Sequence, residues 1–294
     1  MINIKSFICG CCQTDSTRAD DKVSTVVSKR PQQATSKTET TKNEAILRKN
    51  LKPASDGVLT APWLILKPVE GNILPLDRKI KIGPLGITEN GRQQADGITF
   101  FGSQKYIVSD KDSEKSPYND VVLNDPTVGS RHCMIKYDPA SQSYYLKDLG
   151  DGSGTFVKVD QETALKTGYI ISFADSHILL SISRPSSNSK ENENIVLKFL
   201  DGPKADEVYT FRPTDKLIRV GRVSDCEIKF DVNTLSRYQF TIVYKESKGW
   251  VVIDGYDGKQ STNGTWLFVE DYYEISQNIA VKIGQTLFKV TLDR

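Results

Sequence analysis

The chain is short of the residues that catalytic and metal centres usually draw on. It has two histidines, His132 and His177, and five cysteines in 294 residues. Cys9, Cys11 and Cys12 are clustered, but no matching cysteine pair or histidine group completes a zinc site, so no metal or other cofactor is expected. Cys133 and Cys226 stand alone in strand-like segments as small hydrophobes, which argues against disulfides. No Ser-His-Asp set and no pair of carboxylates has a spacing suited to catalysis, so the protein is not expected to be an enzyme or to take a small-molecule substrate. Charge of one sign is also lacking: the formal net charge of +2 offers no electrostatic case for nucleic acid. The apolar residues Ile2, Ile4, Phe7 and Ile8 are too few for a membrane span, and their pattern is unlike a cleaved signal peptide. Aromatic residues are missing between Phe7 and Trp63.

That last gap begins the organisation. Residues 1–57 are rich in Thr, Ser, Gln and Lys and read as a disordered tail. From Trp63 onward, short runs of β-branched and aromatic residues alternate with polar ones and end in Gly, Asn or Asp, the pattern of strands joined by turns. A polar stretch, residues 185–194, reads as a linker between units at 60–184 and 195–294. Both units contain a strand ending in Ile-Gly or Val-Gly, a Ser-Arg segment before an apolar strand, and an Asp-containing strand leading to Gly-Thr. They read as divergent copies, each an all-β sandwich.

In the second unit the polar residues fall in the connections, where a rigid scaffold usually carries function. Arg222 and Arg237 offer guanidinium forks that match phosphate oxygens. Ser236 and Thr262 offer hydroxyl donors, and the Asn263 amide can both donate to and accept from a peptide backbone. A phosphorylated side chain brings nearly two negative charges and several strong acceptors to such a set. The ordered segments Leu217-Ile218-Arg219-Val220-Gly221-Arg222, Leu235-Ser236-Arg237-Tyr238-Gln239 and Ser261-Thr262-Asn263-Gly264-Thr265-Trp266 resemble the forkhead-associated (FHA) domain. The resemblance implies two sandwiches of about eleven strands each that read phosphothreonine. It assigns the phosphopeptide to Arg222, Ser236, Arg237, Thr262 and Asn263, and the bracing of the loops to Gly221, Gln239 and Gly264. Most members carry histidine where this chain has Gln239, whose amide can still donate and accept.

The first unit resembles the family less closely. Its Gly-Arg position is read as Gly83-Pro84, without the cation. Alignment on His132 puts Gly129 at the serine and Ser130 at the basic position; a one-residue deletion would instead keep Ser130 and Arg131 in role. Asp151-Gly152-Ser153-Gly154-Thr155 loses the asparagine and places a carboxylate where a phosphate would bind. Gly129 follows Gly83 by 46 positions, whereas Ser236 follows Gly221 by 15; the insertion is read as a scaffold or a protein contact without phosphate dependence, with Arg92 as the residue that could fold back in place of the missing cation.

The resulting expectation is a phosphothreonine-binding adaptor acting through residues 195–294. The alternative is a scaffold whose sandwich faces bind proteins without phosphate. S-acylation of Cys9, Cys11 and Cys12 would add two or three lipid chains, enough for stable membrane anchoring. The protein is expected to be intracellular, cytoplasmic or membrane-associated, with the nucleus left open.

Overall fold

The computed structural model describes residues 61–87, 91–92, 94–108, 114–183, 193–215 and 217–293. The tail at 1–57 and most of the linker at 185–194 fall outside these segments. The first half contributes β1 (Trp63–Glu70), β2 (Ile80–Ile82), β3 (Ile98–Gly102), β4 (Tyr106–Val108), β5 (Lys115–Pro117), β6 (Val121–Val122), β7 (Cys133–Asp138), β8 (Ser143–Asp148) and β9 (Thr155–Lys158). A short β10 (Thr163–Ala164) then leads to the hairpin β11 (Ile170–Phe173) and β12 (Ser176–Ser183). The second half repeats the plan: β13 (Asn194–Phe199), β14 (Val208–Phe211), β15 (Ile218–Gly221), β16 (Ile228–Lys229), β17 (Phe240–Lys245), β18 (Gly249–Asp254) and β19 (Trp266–Phe268). It ends with β20 (Tyr273–Glu274) and the hairpin β21 (Ala280–Ile283) and β22 (Thr286–Asp293). Among the described residues the only helix is a single 3₁₀ turn at Pro213–Asp215.

Alternation along the strands builds the cores. In β8 every second residue, Tyr144, Leu146 and Asp148, turns inward; in β13 the inward set is Ile195, Leu197 and Phe199. A period of two puts one face of each strand on the core and the other toward water.

The two units are not closed in sequence order. The last hairpin, β21–β22, packs on the first half: β22 pairs antiparallel with β1, from Trp63↔Asp293 to Glu70↔Leu287, and β21 pairs with β9. The β11–β12 hairpin packs on the second half, with β12 against β13 over Ile178↔Phe199 to Ser183↔Asn194 and β11 against β19. The short strands follow suit, β20 on β8 and β10 on β18. One core therefore joins Leu64, Tyr144 and Val157 to Ile275, Ile283 and Phe288. The other joins Val159, Ile171 and Ile178 to Ile195, Phe240 and Leu267. Segments 60–184 and 195–294 each contribute to both sandwiches, whereas the sequence boundaries implied one sandwich apiece.

The chain crosses over where β9 and β19 meet, in the register Phe156↔Phe268, Val157↔Leu267 and Lys158↔Trp266. This pair fuses one sheet of each sandwich into a ten-stranded sheet with the order β14-β13-β12-β11-β19-β9-β21-β22-β1-β2. The other two sheets remain separate, with orders β10-β18-β17-β15-β16 and β20-β8-β7-β3-β6. The reason is physical. Both hairpins carry the same inward pattern, so each can fill either sandwich. The ten-residue connection from β12 to β13 closes a local antiparallel pair at low entropy cost, so only the β22–β1 pairing closes a long loop, whereas two self-closed units would each close one of whole-domain length.

Ile283, fully buried in the first core, tests the exchange. Ile283→Ala should cost about 2–5 kcal/mol, and hydrogen exchange should rise first at amides of β7 and β8. Loss of protection confined to β17 and β18 would show that each unit closes on itself.

Candidate functional site

The site in the second half forms around the end of β15, which runs parallel to β16 and antiparallel to β17. A Cβ on Gly221 would lie 2.2 Å from the Arg237 carbonyl oxygen, so the glycine permits the close approach of the 236–237 loop. The Arg222 amide is shared by the carbonyls of Ser236 at 3.3 Å and Arg237 at 3.1 Å. The Thr262 amide donates to Ser236 Oγ at 2.9 Å, and the two hydroxyl oxygens lie 3.4 Å apart. Arg222, Ser236, Arg237 and Thr262 are thus gathered at one end of the sandwich. Exposed Asn263 follows, its carbonyl accepting from Trp266 Nε1 at 3.2 Å, and Gly264 turns the chain at φ +76°.

Two buried polar side chains brace these loops from below. Gln239, 1% exposed, donates from Nε2 to Ser261 Oγ at 3.0 Å and to the Gly264 carbonyl at 2.9 Å. Asp254 accepts from the Ser261 amide at 3.0 Å and hydroxyl at 2.7 Å, and from the Thr265 hydroxyl at 2.7 Å. Asp254 did not figure among the expected site residues; its only sequence signal is its place at the end of the strand before the loop.

Charge is distributed unevenly around the site. Arg219 is engaged by Glu227 and Asp225, each at 2.9 Å, and its hydrogen bonds to Glu227 with the charges of both carboxylates hold the guanidinium deeper in its protonated form. Arg222 and Arg237 point outward, with no ion pair among the described residues. Two guanidinium groups, two hydroxyls and the Asn263 amide therefore remain available to an anionic ligand.

The same geometry locates the equivalent site in the first half and corrects its alignment. β3 runs parallel to β6 and antiparallel to β7, as β15 does to β16 and β17. A Cβ on Gly102 would lie 2.3 Å from the Ser130 carbonyl oxygen, so Gly102, and not Gly83, matches Gly221. Gly83 follows β2, the counterpart of β14, and the sequence misled because an Ile-Gly dipeptide ends that strand too. Ser103 consequently stands at the Arg222 position; its amide and hydroxyl both donate to the Gly129 carbonyl, at 2.8 and 3.0 Å. The insertion splits in two: part of it falls between β2 and β3, and part forms the antiparallel pair of β4 with β5.

Among the described residues no cation is restored in this half. Gly129 and Ser130 take the places of Ser236 and Arg237, as alignment on His132 anticipates. Arg131 folds between the rings of Phe100 and Tyr118, 4.1 and 3.9 Å from their centres, and donates to the Tyr118 carbonyl at 2.6 Å. Arg92 is buried against Asp120 and Asp96, each at 3.0 Å, so it braces the inserted loop and leaves the vacant position unfilled. Asp151 lies over Gly129, where an added Cβ would meet its Cγ at 2.2 Å, and it accepts from the Arg131 amide at 3.1 Å.

Comparison with known families decides what the two sites are: the FHA domain matches residues 99–174 and 218–284. The chain carries two FHA domains. The match begins at β3 and at β15, in agreement with the structural equivalence of Gly102 and Gly221. No curated protein sequence matches the chain. FHA domains are phosphopeptide-binding protein-interaction modules, and their loops carry no catalytic group.

The remaining singled-out residues take structural places in the two FHA domains. His132 Nε2 lies 3.0 Å from the Gly154 carbonyl, which only accepts, so Nε2 carries the proton and Nδ1 accepts from the Gly129 amide at 3.2 Å. His177 pairs with Asp201 at 2.8 Å. Burial pushes the Cys133 and Cys226 thiols up, away from thiolate chemistry. Cys9, Cys11 and Cys12 lie outside the described residues.

Gln239 and His132 hold the same position, which suggests a paired test. Gln239→Ala leaves the buried Gly264 carbonyl without its donor and should cost about 1–3 kcal/mol in denaturant unfolding. Gln239→His should recover most of that loss, since imidazole bridges the equivalent loops in the first domain. Equal destabilisation by both substitutions would show that the side-chain bond does not hold the loops.

Proposed function

We propose that the protein is a phosphothreonine-reading adaptor whose ligand binds the second FHA domain through Arg222, Ser236, Arg237, Thr262 and Asn263. The observation that carries this reading is the pair of outward guanidinium groups beside the Ser236–Thr262 cluster, in a domain whose other arginine on the same strand is already neutralised. Each charge-assisted hydrogen bond contributes about 1.5–3 kcal/mol. Three or four such bonds reach the roughly 8 kcal/mol of a micromolar complex. Threonine as the phosphorylated residue is inferred from the family resemblance.

The first FHA domain does not share this role in our reading. Ser103, Gly129 and Gly152 replace Arg222, Ser236 and Thr262, and the Asp151 carboxylate would repel a phosphate. A phosphate-independent contact is favoured there by the groove between the β1–β2 edge and the inserted hairpin. Exposed Trp63 and Tyr106 border it, together with Arg78, Lys79, Lys81 and Lys105. S-acylation at Cys9, Cys11 and Cys12 would tether the reader to an intracellular membrane.

The test is titration of the full chain with a fluorescent phosphothreonine peptide library and its unphosphorylated twin. Binding should require the phosphate, fall at least tenfold with Arg222→Ala, and weaken with added salt. It should also weaken as pH falls through about 6, where the phosphate takes up its second proton and loses charge. Equal binding of both peptides would favour the scaffold reading.

A further inference from the structure

The strand exchange places residues of the first half at the edge of the second domain's reading site. Lys158 ends β9 and lies directly opposite Trp266. A Cβ on Gly264 would come within 2.9 Å of Lys158 Cε, so the lysine stem runs along the loop that carries Thr262 and Asn263. The Trp266 ring ties to that loop through the Asn263 carbonyl. Lys282 of β21 stands over the other side of the cluster, 6.0 Å from the Trp266 ring centre. Lys158 is a little over a quarter exposed and forms a loose ion pair with Asp160 at 3.6 Å, beyond hydrogen-bond length. Two lysine side chains thus reach Gly264 and Trp266, the residues just after Asn263, and both arrive on strands that pack on the first core.

The same position in the first domain is uncharged. Lys158 follows Thr155 of the first loop by three residues, and its counterpart, three residues after Thr265, is Phe268. Because β9 and β19 cross antiparallel, each loop receives the other domain's residue: the reader's loop receives lysine, and the loop without arginines receives phenylalanine. The extra charge therefore sits only where the ligand-binding arginines are present.

We infer that Lys158, supported by Lys282, forms a second anion subsite beside Asn263, which selects phosphothreonine peptides carrying an acidic or second phosphorylated residue on that side. The inference rests on the phosphothreonine reading of the second domain. It assigns the first domain a part in recognition: it delivers the selecting cation on β9, where that strand crosses onto β19. The subsite recognises a negative oxygen cluster, which a glutamate carboxylate or a phosphoserine can supply.

The experiment uses the full chain and a fluorescent phosphothreonine peptide in three series, with alanine, glutamate or phosphoserine scanned through the positions flanking the phosphothreonine. Wild type should prefer glutamate at one flank position over alanine by roughly two- to fivefold, as expected for a partly exposed ion pair, and phosphoserine there by more. Lys158→Ala should erase that preference while leaving the affinity for the alanine series unchanged; Lys158→Glu should reverse it. Retained binding of the alanine series reports that the variant is folded. Equal affinity of wild type for all three series, or an equal loss across them in Lys158→Ala, would overturn the subsite. Absence of binding to every phosphothreonine peptide would overturn the reader itself and the subsite with it. A preference for phosphoserine without one for glutamate would identify phosphate as the ligand group and support the subsite.

Discussion

The three-residue ladder between β9 and β19 is the contact on which the rest of the molecule depends. It joins two sandwiches into one ten-stranded sheet and marks the point at which each half hands its last hairpin to the other. Its outward faces bring Phe156 and Phe268 to 5.6 Å, and its inward residues, Val157 and Leu267, belong to different cores. Without it the chain would form two FHA domains linked by a tether, each with its own stability and orientation. With it, the cores are coupled, because every hairpin that completes one sandwich is anchored through its connection to the other.

That coupling gives the degenerate domain a structural reason to persist. Its loops carry Ser103, Gly129 and Ser153 where the second domain has Arg222, Ser236 and Asn263, yet its core residues remain in register with the last hairpin of the chain. Sheet pairing constrains Leu64, Ile135 and Tyr144 through burial, whatever becomes of the loops. Gly102 is glycine for a reason of packing alone: the approach of the Ser130 carbonyl leaves no space for a side chain.

Much of the fold and of the second site was legible in the sequence. Period-two alternation identified the strands, and the spacing of Gly221, Ser236 and Asn263 identified loops that meet at one end of a sandwich. The role of Gln239 could be inferred because an amide can do what an imidazole does. Two features were not legible, for related reasons. The Gly83–Gly102 confusion arises because two strands end in Gly, and sequence cannot say which one pairs in parallel with the next short strand. The exchange was invisible because the two hairpins carry the same inward pattern: when either hairpin satisfies either core, only the length of the connections and the geometry of the crossing choose between them. Lys158 was missed as a consequence, since its neighbour Gly264 is distant in the chain and reached only through the exchange.

Asp151 shows how an emptied anion site settles. The loops of an FHA end converge amides and hydroxyls on one spot, and a spot so built retains an unfavourable field when no anion occupies it. In the second domain Ser236 and Thr262 satisfy each other only in part, and two arginines face outward, which leaves the field to a ligand. In the first domain the arginines are gone or stacked on rings, and the Asp151 carboxylate accepts the Arg131 amide. The chain places its own carboxylate there, over Gly129 and against the Arg131 amide. One end of the molecule is closed by a carboxylate and the other left open by the same loop architecture; the difference lies in a few side chains, while the shared sheet keeps both ends in place.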